Sequence, residues 1–141
     1  MKGFLMSLLL EIITPEGVSL SSPADSVTFP TASGQLTILP GHQPLLGQTQ
    51  TGELVYKKAG DPEARVYAID AGFFMLRGDK LSLLVEGAAD AANIDLDVIK
   101  SAQERAQDAL KNAQKMDPAE VEEFERIVRF SIAQRLIKRG K

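Results

Sequence analysis

Gly34-Gln35-Leu36-Thr37-Ile38-Leu39-Pro40-Gly41-His42-Gln43-Pro44-Leu45-Leu46 reads as a strand, a turn and a second extended run. Leu36 and Ile38 alternate with Thr37, the period-two pattern of a strand with one buried face. Pro40-Gly41 then turns the chain, because proline presets one φ and glycine accepts a positive one. Pro44 leads the next run. A bare Pro-Gly-His is a β-turn with an incidental histidine, so the fold class depends on how far the same grammar extends on either side.

It extends from about residue 8 to residue 86. Toward the N-terminus, Leu8, Leu10 and Ile12 alternate with Leu9, Glu11 and Ile13, and Pro15-Glu16-Gly17 is a turn. Val27 and Phe29 stand two apart, with Ser33-Gly34 following. Toward the C-terminus, Thr51-Gly52 precedes Leu54 and Tyr56, and Gly60-Asp61-Pro62 breaks the chain before the run at 65–70. Arg77-Gly78-Asp79 is a tight turn before Leu81, Leu83 and Val85, which point to one face. Short strands and turns at this pitch, with no helical pattern between them, predict an antiparallel β-sandwich or flattened barrel. In one strand Tyr67 and Ile69 face opposite Val66 and Ala68, so both sides are apolar. Such a strand is either central in a two-layer core or docked against another subunit.

The grammar changes at Gly87-Ala88-Ala89, a small-residue segment that reads as a hinge. Domain limits of 1–88 for the sandwich and 89–141 for a helical unit follow. Residues 95–115 read as a helix, with Val98, Ala102, Ala106, Ala109 and Ala113 at helical spacing and Ile94, Ile99 and Leu110 widening the stripe. Asn93 or Asp95 caps its start. Met116-Asp117-Pro118 ends this helix and begins another over 118–138: Asp117 suits the N-cap, Pro118 the first turn and Glu120 the capping-box place. Val121, Phe124, Val128 and Ile132 form its stripe, extended by Ile127 and Phe130. Glu120, Glu122, Glu123 and Glu125 crowd its first turns and Arg135, Lys138, Arg139 and Lys141 its end, matching the helix dipole. The short connection makes the pair an antiparallel hairpin. One alanine-rich face buries little area, so the hairpin is marginal alone and packs on the sandwich or on a partner, and it is suited to switching between the two.

The overall α+β, β-then-α reading suits 141 residues with 44% hydrophobic and 25% charged content. A net charge of -3 gives no general attraction to nucleic acid. The chain has no cysteine and a single histidine, His42, which excludes disulfides, thiolate chemistry, a histidine metal cluster and a triad with a second histidine. Asp90, Asp95 and Asp97 are spaced as helix-start residues, not as an EF-hand loop. No catalytic residue and no metal site is expected. The apolar run at 4–13 is interrupted by Glu11, is too short to span a bilayer, and reads as a first strand; Met6 is an alternative start to Met1.

With these elements in place, the 34–46 run resembles the signature of the epsilon subunit of the F-type ATP synthase, in which a Gly-x-Leu strand leads into Pro-Gly-His-x-Pro-Leu. The run from Leu10 to Glu16 is similar to that family's opening strand, Gly52-Glu53-Leu54 to the strand after the histidine turn, and Leu83-Leu84-Val85 to its last strand. Asp70-Ala71-Gly72-Phe73-Phe74 is similar to its Gly-Gly segment, with Ala71 in place of one glycine. The resemblance covers roughly residues 8–110, and the last helix matches by position and character more than by identity.

The resemblance implies a non-catalytic rotor subunit on the cytoplasmic face of a bacterial inner membrane. Its sandwich clamps the gamma subunit and rests on the c-subunit ring, with Leu39, Gly41, His42, Pro44 and Leu45 near that junction. It also implies that the hairpin extends into the head and blocks ATP hydrolysis, bringing basic residues to acidic segments of the beta subunits beside alpha; Arg126, Arg129 and Arg135 are the candidates. A solvated, dipole-matched helix face accounts for those arginines equally well. Some members bind ATP through Ile/Leu-Asp-x-x-Arg-Ala at the start of the first helix. Here Ile94 and Asp95 keep the first two places, but Val98 stands at the arginine's, removing a charge-assisted bond to phosphate and arguing against strong ATP binding and against a resident cofactor. The alternative from another class is a free-standing ligand-binding β-sandwich with the helices as a lid.

Overall fold

Leu8, Leu10 and Ile12 turn inward and are at most 1% exposed, as the alternation of the first strand requires. The computed structural model describes residues 7–58 and 60–139. The alternative start at Met6 and the basic residue Lys141 lie outside those residues. Ten strands follow one another: β1 (Leu8–Thr14), β2 (Gly17–Ala24), β3 (Ser26–Thr31), β4 (Gly34–Ile38), β5 (Leu45–Thr49), β6 (Gly52–Lys57), β7 (Ala64–Ile69), β8 (Gly72–Arg77), β9 (Lys80–Val85) and β10 (Ala88–Asp90). Two helices complete the chain, α1 (Leu96–Leu110) and α2 (Pro118–Arg139).

Hydrogen bonding links the strands in the order β10-β7-β6-β3-β5-β8-β9-β1-β2, with β4 on the other side of β3. One layer is thus β10-β7-β6-β3-β4 and the other β5-β8-β9-β1-β2; they join at a corner where Thr31 of β3 opposes Thr49 of β5. The expected antiparallel pairing holds except between β1 and β9, which run parallel with Leu10 opposite Leu81 and Ile12 opposite Leu83. The first strand inserts between β9 and its own hairpin partner β2, and insertion beside a strand far along the chain is free of the hairpin constraint that forces antiparallel pairing. Phe29, Ile38, Leu54, Leu76, Leu81 and Leu83 fill the space between the layers, and the Phe29 and Phe74 rings meet edge-on with centroids 5.0 Å apart.

The two-sided strand β7 resolves the alternatives posed for it. Tyr67 and Ile69 face the sandwich core, while Val66 and Ala68 face a second cluster with Ala91, Ile94 and Ile137. Its outer face is covered by the chain's own helical unit.

Gly87-Ala88-Ala89 is not a hinge loop. Ala88–Asp90 is β10, paired antiparallel with β7 through Ala88 opposite Ile69 and Asp90 opposite Tyr67. The last strand therefore crosses the expected limit at residue 88, and a single turn of 3-10 helix (Ala91–Asn93) follows it.

The helices begin where their caps predict. Asp95, not Asn93, caps α1, its side chain accepting from the backbone N–H groups of Asp97 and Val98. The expected 95–115 helix ends at Leu110, with a separate 3-10 turn at Ala113–Lys115. Asp117 accepts the Ala119 N–H at 3.3 Å at the start of α2. The inward faces match the apolar stripes only in part, with Ala106, Ile94 and Phe130 turned inward as expected. On α1, Gln103 and Ala106 are buried and Val98 is exposed; on α2, Ser131, Gln134 and Ile137 are buried and Ile132 is exposed. Arg135 Nη1 of α2 donates to Gln103 Oε1 of α1 at 2.7 Å, joining the two helices.

Candidate functional site

The turn after β4 has the geometry its sequence calls for. Pro40 and Gly41 occupy its centre, Gly41 has φ +84°, and His42 N–H closes the turn on Leu39 O at 3.1 Å. A positive φ at the third place is the type II requirement that only glycine meets without strain. His42 is half-buried, and its Nδ1 lies 2.8 Å from Gln43 O, so the ring is oriented by its own loop. Leu39 is 54% exposed on one side of this loop and Leu45 begins β5 on the other, with Gly41 and Pro44 exposed between them.

Leu45 leads onto an apolar surface. Leu46 opposes Met75 across β5–β8, and Phe73 opposes Leu84 across β8–β9. All four side chains point away from the core; Leu46 is 72% and Phe73 57% exposed. Ile13 of β1 opposes Leu84 and continues the surface. Sheet registry therefore makes one contiguous patch from exposed residues of three strands and the half-buried Ile13 of a fourth, the pattern of a docking face.

The other layer carries the helical hairpin, and a polar cluster fastens it there. Asp70, directly after β7, is fully buried. Its Oδ1 accepts the Thr51 hydroxyl and the Ala71 N–H, both at 2.8 Å, and its own N–H donates to Gly87 O at 2.9 Å. Arg126 of α2 donates from Nη1 to Asp70 Oδ2 at 2.6 Å. The rest of that guanidinium is held by Glu123, through Nε at 3.1 Å and Nη2 at 2.8 Å. Hydrogen bonds from Arg126 hold the Glu123 carboxyl below the usual glutamate range, against a smaller opposing effect of burial. Bonds to Glu123, and less so to Asp70, hold the Arg126 guanidinium firmly in its charged form. One helical turn on, the Phe130 ring lies on Gly87, where a Cβ would come within 2.9 Å of it. At the far end, Lys138 Nζ donates to Ala91 O at 3.2 Å.

The three candidate arginines thus have different situations. Arg126 is engaged with Asp70 and Glu123, Arg135 bonds Gln103 within the hairpin, and Arg129 is exposed on the rim of an apolar groove of about 520 Å³ between Thr51–Glu53 and Ile132 and Leu136. Ile94 is buried beneath the helices, and Asp95 is spent on its cap. Asp70, Thr51 and Glu123 were not foreseen as site residues. The one available signal was a carboxylate at the end of a strand followed by two small residues.

A family model described as "ATP synthase, Delta/Epsilon chain, beta-sandwich domain" matches residues 7–91. The ATP synthase epsilon chain of Geotalea uraniireducens is 42% identical over 104 residues, 74% of each chain. That of Brevibacillus brevis is 36% identical over 103 residues, 73% of this chain and 77% of the relative. Among solved structures, a chain of the Euglena gracilis mitochondrial ATP synthase (OSCP/F1/c-ring) superposes with a TM-score of 0.69 at 20% identity, over 93% of this chain and 81% of its own. The first of these extends over the sandwich and the last over nearly all of the present chain, so the sequence match and the fold agree on the same architecture. The chain belongs to the family of ATP synthase epsilon chains.

Proposed function

We propose that this epsilon chain, a rotor-stalk subunit of an ATP synthase, acts without catalytic chemistry of its own. Its sandwich docks on the gamma subunit and the c-subunit ring, and its hairpin regulates ATP hydrolysis by the alpha and beta subunits of the head. In this reading it sits at the cytoplasmic face of a bacterial inner membrane as a peripheral subunit; no helix among the described residues is long and apolar enough to cross a membrane. The observation that carries the docking role is the exposed row of Leu46, Met75, Phe73 and Leu84, aligned by strand register beside the Leu39–Leu45 loop. Strong ATP binding is not part of this reading, because Val98 supplies no cation and Asp95 already accepts two backbone N–H groups.

The test uses a reconstituted catalytic head with its gamma subunit. Phe73→Glu with Leu84→Glu places two charges in the apolar row, and gamma binding weakens at least tenfold. Unchanged binding sinks the docking assignment. Hydrolysis is then compared between the full chain and one ending at Ala92. Inhibition by the full chain alone makes the hairpin a brake, whereas equal rates leave the chain a coupling part. A ligand-binding sandwich with a helical lid predicts instead tight small-molecule binding without gamma.

A further inference from the structure

The helical unit meets the sandwich through a single apolar cluster, smaller than the core between the sheet layers. The shared cluster consists of five buried residues, Val66, Ala68, Ala91, Ile94 and Ile137, with Val55, Ala89, Ile99 and Phe130 partly buried at its edge. Two of these five are alanines, which contribute little burial each. The polar contacts are correspondingly important, and they differ in kind. Lys138 meets the carbonyl oxygens of Ala91 and Ala92, the first of them part-buried. Arg126 meets a carboxylate that the rest of the fold has buried completely and oriented through Thr51 and Ala71.

Asp70 also joins the two places where α2 touches the sheet end. Its N–H bonds Gly87 O, and Gly87 is the residue on which Phe130 rests. Arg126 and Phe130, four residues apart on one face of α2, therefore close on a single backbone bridge between residues 70 and 87. Removing the hairpin takes away both the cation and the ring that cover this bridge.

We propose that the Asp70–Arg126 pair is the latch that sets the balance between a hairpin docked on β7 and a hairpin released from it. The proposal rests on the regulatory reading of the hairpin only for its consequence in the enzyme complex; the latch itself is a property of the chain alone. Glu123 holds the guanidinium in the rotamer that reaches Asp70, and Arg126 is withheld from any partner while the latch is closed.

The test is made on the full chain, whose lack of cysteine permits clean labelling. A dye pair at Ser33→Cys in a sandwich turn and Gln114→Cys in the hairpin bend reports docking by energy transfer. Arg126→Gln shifts the docked-to-released ratio toward release by roughly ten- to a hundred-fold, the range for a lost hydrogen bond to a charged group. Arg126→Lys restores part of it. Asp70→Asn combined with Arg126→Gln is no worse than the more damaging single change, because the two residues act as one pair. An unchanged ratio in Arg126→Gln, or strictly additive effects in the double variant, overturns the latch. The same variants in the reconstituted head separate the two readings: altered docking with unaltered hydrolysis keeps the latch and removes the brake, while unaltered docking removes the latch whatever hydrolysis does.

Discussion

Asp70 and Arg126, 56 residues apart in sequence, meet at 2.6 Å across the boundary between the sandwich and the helices. The carboxylate is fully buried, and the arginine side chain retains 24% of its exposure. A buried charge is tolerable only when paired and hydrogen-bonded, and Asp70 has a counter-charge, a hydroxyl and a backbone N–H. Its fixed position makes it a stationary anchor, while the long arginine stem, carried on the marginal hairpin, is the part able to leave.

The neighbouring Gly87–Phe130 contact gives an independent handle on docking. A methyl group on Gly87 would sit 2.9 Å from the Phe130 ring, so Gly87→Ala forces the ring and α2 outward. Because Phe130 is only half-buried it has room to move, and the cost falls at the low end of overpacking, about 1 kcal/mol. Energy transfer between sandwich and hairpin dyes should fall accordingly. In a Phe130→Ala background the same glycine change should have almost no further effect, since the clash has been removed.

Glu123 predicts a pH dependence of definite sign. Its carboxyl is depressed chiefly by the hydrogen bonds from Arg126, with Glu86 and Glu16 the other carboxylates lining the crevice beside them. A depressed folded-state pKa contributes stability that is fully present above the unfolded value, near 4.5, and is lost as pH falls through the folded one. Glu123→Gln should therefore destabilise the fold at neutral pH, with a lower thermal midpoint, by about the few tenths of a kcal/mol usual for an exposed ion pair within one helix. The gap from the parent should close as pH falls below 4.5. A gap that persists at pH 3 would assign the effect to packing and not to charge.

The cap at Asp95 separates helix formation from docking. Its carboxylate satisfies two of the free N–H groups at the start of α1, and Asp95→Ala should cost about 1 kcal/mol. Circular dichroism should show reduced helicity while the strand signal is retained. An equal loss of both would mean that the hairpin is needed for the sandwich to fold.

Most of the sandwich is legible in the sequence because its strands have one wet and one dry face: Leu8, Leu10 and Ile12, or Leu81, Leu83 and Val85, announce their direction by alternation alone. The helix starts are legible because caps are local chemistry. The latch is not, because Asp70 after a strand looks like any turn residue until the fold brings α2 over it. β10 is hidden for another reason: Ala88-Ala89-Asp90 has no side-chain pattern, and its pairing to β7 is decided by backbone hydrogen bonds. The stripe through Ile132 misleads about part of the inward face of α2, because Ile132 is exposed while Ser131, Gln134 and Ile137 are buried. The candidate arginines were visible as charges, but which of them is engaged within the chain depended on that unforeseen face.

The departure at Ala71 has a simple steric account that leads to a last prediction. The resemblance places two glycines at 71 and 72, and this chain keeps only the second. At Gly72 a Cβ would lie 2.0 Å from Leu84 O and 2.8 Å from Val85 Cα, backbone atoms of the adjoining β9 that have no rotamer by which to yield. Residue 71 is half-buried, and its N–H is used on Asp70 Oδ1, an interaction that any residue with a backbone N–H can make. Gly72→Ala should therefore separate β8 from β9 locally and destabilise the sandwich by about 3 kcal/mol, the upper range of overpacking. Ala71→Gly should cost only the added backbone freedom of the unfolded chain, roughly 0.4–1 kcal/mol. Denaturant unfolding of the two variants beside the parent distinguishes them. Equal midpoints would mean that β8 and β9 can part to admit a methyl group, and that the glycine is kept for some reason other than space.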